Sequence, residues 1–339
     1  MTTTATLVTL DDIRAASERV RPIARVTPLV DVSAPAGRPL FLKCESLQPA
    51  GAFKIRGAYN MVVQLTPDQR ARGVITYSSG NHGQAMALAA QRLGAPAVVV
   101  MPTTAPKMKI EGAKSFGAEV ILAGTTSNDR RERAEAEAAA RGLTMVPPFD
   151  HEWIIAGQGT AGLEILEQRP DVAAVLVPIG GGGLVSGVAA AVKQSRPDVK
   201  VIGVEPLGAA AMKASVDAGH LVTLPSTHTI ADGLMPVRPG DLTFAHVQKF
   251  VDAVITVDDP AIVDAVLWIF AAAKTRRRAE RRCHDRSRPQ RRPRCRGPCE
   301  RAGGRDHQRR QHGCLEARGA RGSTPALGRS VRPNVTRSG

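Results

Sequence analysis

Short apolar blocks and longer stretches of helical spacing alternate along roughly the first four-fifths of the chain. Valine- and isoleucine-rich runs over 74–77, 97–101 and 120–123 have the length of buried strands. The segments between and after them, 81–93, 107–116 and 129–141, are longer and read as helices. An opening helix is predicted over 10–23, and a strand over 40–43 leads into a turn of small residues. From about Phe149 the alternation resumes, with a helix near 159–167, an apolar strand before residue 180 and another strand over 199–204. Asp258-Asp259-Pro260 then starts a helix over 261–274, with proline in its first turn. Strand–helix alternation predicts an α/β fold of two open parallel-sheet lobes, with a ligand crevice at the strand ends between them.

Length and charge sharpen this picture. A chain of 339 residues suits two domains. The formal charge of +15 suggests a nucleic-acid binder until it is divided. Residues 1–274 hold 26 basic and 26 acidic side chains, whereas 275–339 hold 20 arginines, no lysine and 5 acidic residues. Four of the five cysteines, Cys283, Cys295, Cys299 and Cys314, also lie in this tail. Their spacing does not match paired zinc ligands, even with His307 or His312. The tail's composition is that of a disordered segment. Cys44 stands alone in the remainder, no apolar run is long enough for a membrane span, and the N-terminus lacks a leader pattern. A cytoplasmic protein is expected.

Three segments carry candidate chemistry. Lys54, within Gln48-Pro49-Ala50-Gly51-Ala52-Phe53-Lys54-Ile55-Arg56-Gly57, sits between an aromatic residue and small residues after a strand. Most lysines are solvated charges, but one on a partly apolar seat can lose its proton and attack an aldehyde. Ser78-Ser79-Gly80-Asn81-His82-Gly83-Gln84 joins a strand to a helix, where free N–H groups attract a carboxylate. The simpler reading is a helix capped by Asn81 or Ser79. Gly180-Gly181-Gly182-Gly183 likewise joins a strand to a helix, and consecutive glycines let N–H groups converge on a phosphate with no side chain in the way. A flexible linker fits this placement poorly.

In combination these segments resemble the fold-type II pyridoxal phosphate enzymes, in particular the serine/threonine dehydratase branch, and Thr229-Ile230-Ala231-Asp232-Gly233-Leu234 strengthens the likeness. The resemblance runs from about Ile13 to Lys274. It implies that Lys54 binds pyridoxal 5'-phosphate covalently and acts as the base, with Phe53 against the cofactor ring. It further implies that Asn81 meets the ring's phenolic oxygen, Gly180, Gly181, Gly182 and Gly183 hold the phosphate, and Gly233 lies near the ring. Ser79, Gly80, Asn81 and His82 would bind the substrate carboxylate. The implied reaction is β-elimination from threonine or serine to a 2-oxo acid and ammonia, in amino-acid metabolism such as isoleucine biosynthesis. The rival outcome is racemisation, with Ser79 returning a proton from the opposite face. A rival of another class is a nucleic-acid binder acting through the arginine tail. His82 in a turn favours a structural role over catalysis. Glu205 resembles a carboxylate of a divalent-cation site in some relatives, but Ala211 stands where they supply a second one, so no metal is expected.

The resemblance implies a discontinuous large cofactor-binding domain (1–72 and 149–274) and a small domain (73–148), followed by the tail (275–339). A homo-oligomer is expected, with neither membrane nor nucleic-acid partner. A feedback-inhibited form with a second regulatory domain after Lys274 is not expected. The tail reads as a frameshifted C-terminus. With suitable codons, Arg276 to Arg286 read one base later become Val-Val-Glu-Pro-Ser-Gly-Ala-Ala-Thr-Thr-Ala, and His307 to Gln311 become Thr-Ser-Gly-Gly-Asn. In the family, the serine of that second motif faces the pyridine nitrogen.

Overall fold

Thr9 and Asp12 exchange hydrogen bonds between side chain and backbone, and this capping box starts α1 (Leu10–Val20). The computed structural model describes residues 6–78 and 80–286, with 273–286 as backbone only. They belong to the first of two compact units, Met1–Ser287, and the second, Arg288–Gly339, lies outside the described residues. After α1, β1 (Leu29–Asp31) pairs antiparallel with β2 (Phe41–Lys43) across α2 (Ser33–Ala36). Two 3₁₀ turns, Glu45–Leu47 and Pro49–Gly51, then deliver the chain to α3 (Lys54–Val62). Lys54 is therefore the first residue of a helix, one step beyond the turn that the small residues predict.

Helix α4 (Pro67–Arg72) leads to the first parallel sheet. It is built from β3 (Val74–Tyr77), α5 (Asn81–Arg92), β4 (Ala97–Met101), α6 (Lys107–Ser115), β5 (Glu119–Leu122), α7 (Ser127–Arg141) and β6 (Thr144–Met145). The strand order is β5-β4-β3-β6. Every residue of β4 is buried, as a central parallel strand covered on both faces must be.

The second parallel sheet has the order β7-β8-β9. It follows α8 (Glu152–Gln168) and comprises β7 (Ala174–Pro178), α9 (Gly183–Ser195), β8 (Lys200–Pro206), α10 (Ala211–Ala218), α11 (Asp241–Phe250) and β9 (Ala253–Val257). Its outer strands alternate: Val175 and Val177 are buried, whereas Leu176 and Ile255 are exposed. The last element, α12 (Asp259–Arg286), exposes Val263, Val266, Leu267, Ile269 and Phe270. Asp258 Oδ1 accepts the Ala261 N–H at its start, as expected. The helix continues past Lys274, so the first part of the arginine-rich stretch is helical rather than disordered. Arginine, alanine and glutamate are strong helix formers, and no proline occurs between Pro260 and Pro289. The rest of the tail, with Cys295, Cys299, Cys314, His307 and His312, lies outside the described residues. Among the described residues no helix is long and apolar enough to cross a membrane.

Glycines let the central helices touch backbone to backbone. A Cβ on Gly187 of α9 would lie 2.2 Å from the Ile155 carbonyl oxygen, and one on Gly157 of α8 would lie 2.6 Å from Gly57 Cα of α3. Beside this contact, the Arg56 guanidinium has no exposed surface. It donates to both Glu45 oxygens at 2.7 and 2.8 Å, to both Glu164 oxygens at 2.6 and 2.9 Å, and to Thr160 at 3.0 Å. Burial alone would lower the Arg56 pKa, but the hydrogen bonds and charges of the two carboxylates raise it. Burial also works against ionisation of Glu45, and Arg56 outweighs it, so the Glu45 pKa is lowered. Lys43 joins the cluster with a 2.5 Å contact to Glu164. We predict that Arg56→Ala, which leaves two largely covered carboxylates short of a partner, lowers stability by about 3–5 kcal/mol. Urea unfolding of the two proteins measures this, and an unchanged midpoint would show that the cluster is not holding the core.

Candidate active site

The lysine and the four-glycine loop, far apart in sequence, meet on either side of one short segment, Pro148-Phe149-Asp150. Lys54 Nζ donates to the Pro148 carbonyl at 2.7 Å and lies 5.3 Å from the centre of the Phe53 ring. The next residue, Phe149, stacks its ring into the space above the glycines: a Cβ on Gly181 would lie 2.3 Å from it, and one on Gly183 would lie 3.0 Å from Phe149 Cβ. Asp150 accepts the N–H groups of Asp241, Leu242 and Thr243 and so caps α11. Thr243 Oγ1 in turn donates to the Gly181 carbonyl at 2.7 Å. One segment thus carries the lysine's acceptor, the wall of the glycine loop and the anchor of the helix behind it.

Burial determines the state of the lysine. The amine has no carboxylate partner among the described residues, and burial pulls its pKa down to about 8. A usable fraction of free amine therefore exists near neutral pH. His82 is the charged group's neighbour. It is 2% exposed, and its Nε2 lies 3.1 Å from the Val146 carbonyl, which can only accept. The ring proton is thus on Nε2, and Nδ1 is buried without a partner. Burial, reinforced by the Lys54 charge, lowers the His82 pKa to about 3, so the ring stays neutral.

Two sets of backbone donors lie at the starts of α9 and α5. Gly182 turns the chain at φ 99°, a left-handed conformation that favours glycine, and α9 begins at the next residue. Among the described residues nothing accepts from the N–H groups of Gly180 through Val185, which makes an anion seat at the start of α9. The glycines are needed for another reason than open approach. Their Cβ positions are occupied by Phe149, Thr243, Met212 and, for Gly180, by Leu234 and the Gly233 carbonyl at 3.2 Å. That last contact brings Gly233 beside the loop. The second set is the N–H groups of Asn81, His82 and Gly83 at the start of α5, which have no acceptor among the described residues. Asn81 is exposed there. The helix N-cap is Gly80, not the side chain of Asn81. Ser79 lies outside the described residues.

These donors and the buried amine fit pyridoxal phosphate: an anion seat of free N–H groups, an amine short of charge, and an aromatic ring against it. Glu205 is fully buried, and its oxygens accept the N–H groups of Met212 and Lys213 at 2.9 and 2.7 Å. Burial raises its pKa to about 7. Its lone pairs cap α10, and no cluster of three metal-ligating side chains occurs among the described residues. No sequence motif gives Phe149, Asp150 or Thr243 a place in the site, because nothing local marks a wall shared by separated segments.

Comparison with known proteins agrees with this geometry. Residues 20–276 match the family model described as "Pyridoxal-phosphate dependent enzyme". An L-threonine ammonia-lyase of Thermotoga maritima is 44% identical over 271 residues, 79% of this chain and 68% of that protein. A serine racemase of Oryza sativa is 43% identical over 268 residues, 78% of this chain and 79% of that protein. The structure of maize serine racemase superposes with a TM-score of 0.75 at 44% identity, covering 77% of this chain and 80% of that one.

Two predictions follow from the geometry. With a pKa of about 8, the free-amine fraction of Lys54 rises roughly tenfold from pH 7 to pH 9 and then levels off, whereas a solvated lysine near 10.4 would rise about a hundredfold without levelling. Stopped-flow absorbance of cofactor-free protein mixed with pyridoxal phosphate reads the difference. Gly182→Ala combines a positive φ with a Cβ 2.7 Å from Thr243, so its cofactor affinity should fall at least about tenfold, a loss of roughly 1.4 kcal/mol. Unchanged affinity by spectral titration would remove the loop from the site.

Proposed function

The chain belongs to the pyridoxal-phosphate dependent enzymes, and from that premise we propose that it is a dehydratase converting L-threonine or L-serine to a 2-oxo acid and ammonia. The observation that carries this reading is the desolvated Lys54 amine, with a pKa of about 8, across Pro148-Phe149 from a loop whose N–H groups have no acceptor among the described residues. When bound, pyridoxal phosphate supplies the electron sink that makes the substrate's α-proton removable. Lys54 would hold the cofactor and, once free, take the α-proton. Gly180 to Gly183 and the start of α9 would hold the phosphate, while Phe53 would bound the ring and Gly233 lie close to it. The N–H groups at the start of α5, with Asn81 and Ser79, would orient the substrate carboxylate. Loss of the β-hydroxyl as water and hydrolysis complete the reaction.

Serine racemases are as similar to this chain as threonine ammonia-lyase, which favours racemisation as a second reading. Racemisation needs a proton donor on the opposite face. His82 is a poor one, because its ring is neutral and its one proton faces the Val146 carbonyl. Ser79 would have to serve. The desolvated Lys54 amine, with His82 unable to donate, therefore supports elimination first. The test is borohydride reduction and peptide mapping, followed by assay of L-threonine and L-serine for 2-oxo acid and for the D-amino acid. A pyridoxyl group on a lysine other than Lys54 sinks the site assignment, and D-serine in excess of pyruvate sinks the dehydratase.

The reading extends to domain organisation. Residues 1–72 with 149–274 would form the large domain and 73–148 the small one; the containment of each parallel sheet within one of these ranges supports it. A homo-oligomer in the cytoplasm is part of the same proposal, supported by Cys44 as the one cysteine before residue 275. The frameshift is also proposed. It is supported by the family match ending at residue 276, where the arginines begin, and by the apolar surface left on α12 and on β7 and β9. A one-base correction near codon 275 should raise 2-oxo acid formation at least tenfold over the 339-residue chain, about 1.4 kcal/mol or more of transition-state stabilisation. Side-by-side assay of both proteins decides it, and equal activity would refute the frameshift.

A further inference from the structure

Lys109 and Asp232 form an ion pair that neither candidate loop contains alone. Lys109 Nζ lies 2.5 Å from Asp232 Oδ2. It joins α6, from the first parallel sheet, to the 3₁₀ turn Asp232–Leu234, whose Gly233 lies against Gly180. The same ammonium lies 3.3 Å from where a Cβ on Gly80 would be. It therefore stands beside Gly80, the residue that caps α5, whose first N–H groups, those of Asn81, His82 and Gly83, have no acceptor among the described residues.

The two partners differ in what holds them. The Lys109 side chain is 26% exposed, close over Gly80, whereas that of Asp232 is 73% exposed and can return to water at little cost. A carboxylate arriving on the start of α5 meets the N–H groups and, beside them, a cation already holding a carboxylate of the same chemistry. Charge-assisted hydrogen bonds to a compact ammonium form and exchange readily between such partners.

We propose that Lys109 is a further substrate-carboxylate residue and that Asp232 occupies it in the substrate's absence. Binding exchanges one carboxylate for the other: the substrate takes Lys109, and Asp232 is released from α6 with its turn. The pair thus makes the release of the Asp232–Leu234 turn conditional on a ligand that carries a carboxylate. This rests on the placement of the substrate carboxylate at the start of α5, proposed above.

Hydrogen exchange of the full chain, followed by mass spectrometry with L-serine or with L-serinamide, which lacks the carboxylate, tests the exchange of partners. L-Serine should speed exchange across 229–234 and slow it across 81–84, and L-serinamide should do neither. Lys109→Gln should raise the half-saturating L-serine concentration at least about fivefold and Lys109→Arg should return it to within about twofold, as expected for a charge-assisted hydrogen bond. Asp232→Asn should show fast exchange across 229–234 without ligand and lower the half-saturating concentration about threefold or more, because the competitor is gone. The proposal is overturned if L-serine leaves 229–234 unchanged, if L-serinamide acts as L-serine does, or if Lys109→Gln responds as the parent does. Mapping the borohydride adduct in the same samples separates the two readings. A Lys54 adduct with an unaltered Lys109→Gln response sinks the exchange of partners alone. A Lys109-dependent response with no Lys54 adduct sinks the dehydratase reading and keeps the exchange.

Discussion

A guanidinium with no exposed surface, clamped between two carboxylates, fixes the point from which the rest of the site is measured. Arg56 lies two residues after Lys54 on the first turn of α3, and Glu45 and Glu164 reach it from the preceding turn and from α8. An ion cluster of this kind is costly to bury and costly to break, so its chief effect is to permit one arrangement of the three segments. The Gly57–Gly157 contact makes the same demand in backbone terms, since only glycine lets α3 and α8 approach so closely. With α3 held in register, Lys54 has its amine at the Pro148 carbonyl.

The Pro148-Phe149-Asp150 segment transmits that position to the anion seat. Phe149 fills the space beside Gly181 and Gly183, and Asp150 ties the start of α11 to the same backbone. The Thr243 hydroxyl closes the circuit on the Gly181 carbonyl. Carbonyls of the glycine loop are thus used for structure while its N–H groups are left for an anion. The same burial that makes this arrangement rigid strips the water that would otherwise keep Lys54 charged. A depressed amine pKa and a loop of N–H groups without acceptors among the described residues are two results of one packing arrangement.

Among the described residues the second sheet is less covered than the first. Its strands leave Leu176 and Ile255 exposed, and α12 presents an apolar stripe. A parallel sheet is normally covered on both faces, so this surface is unusual for the fold. The match to the family model ends at residue 276, where the arginines begin, and the exposed apolar stripe of α12 lies just before it.

Much of this was legible in the sequence because local physics determines it. Strands at Val74–Tyr77 and Ala97–Met101 follow from unbroken apolar runs, the start of α12 from Asp258-Asp259-Pro260, and the donor-rich loop before α9 from glycine between strand and helix. Lys54 stood out because of the residues beside it, yet its pKa could not be read there, since desolvation depends on atoms brought from Pro148 and beyond. The Phe149 wall, the Asp150 cap on α11, the locked tautomer of His82 and the Lys109–Asp232 pair were likewise hidden. Each is a contact between segments tens of residues apart, with no periodicity or spacing to announce it. Sequence determined which elements form and which donors are available; tertiary packing decided which charges lose their water and which donors are left for a ligand.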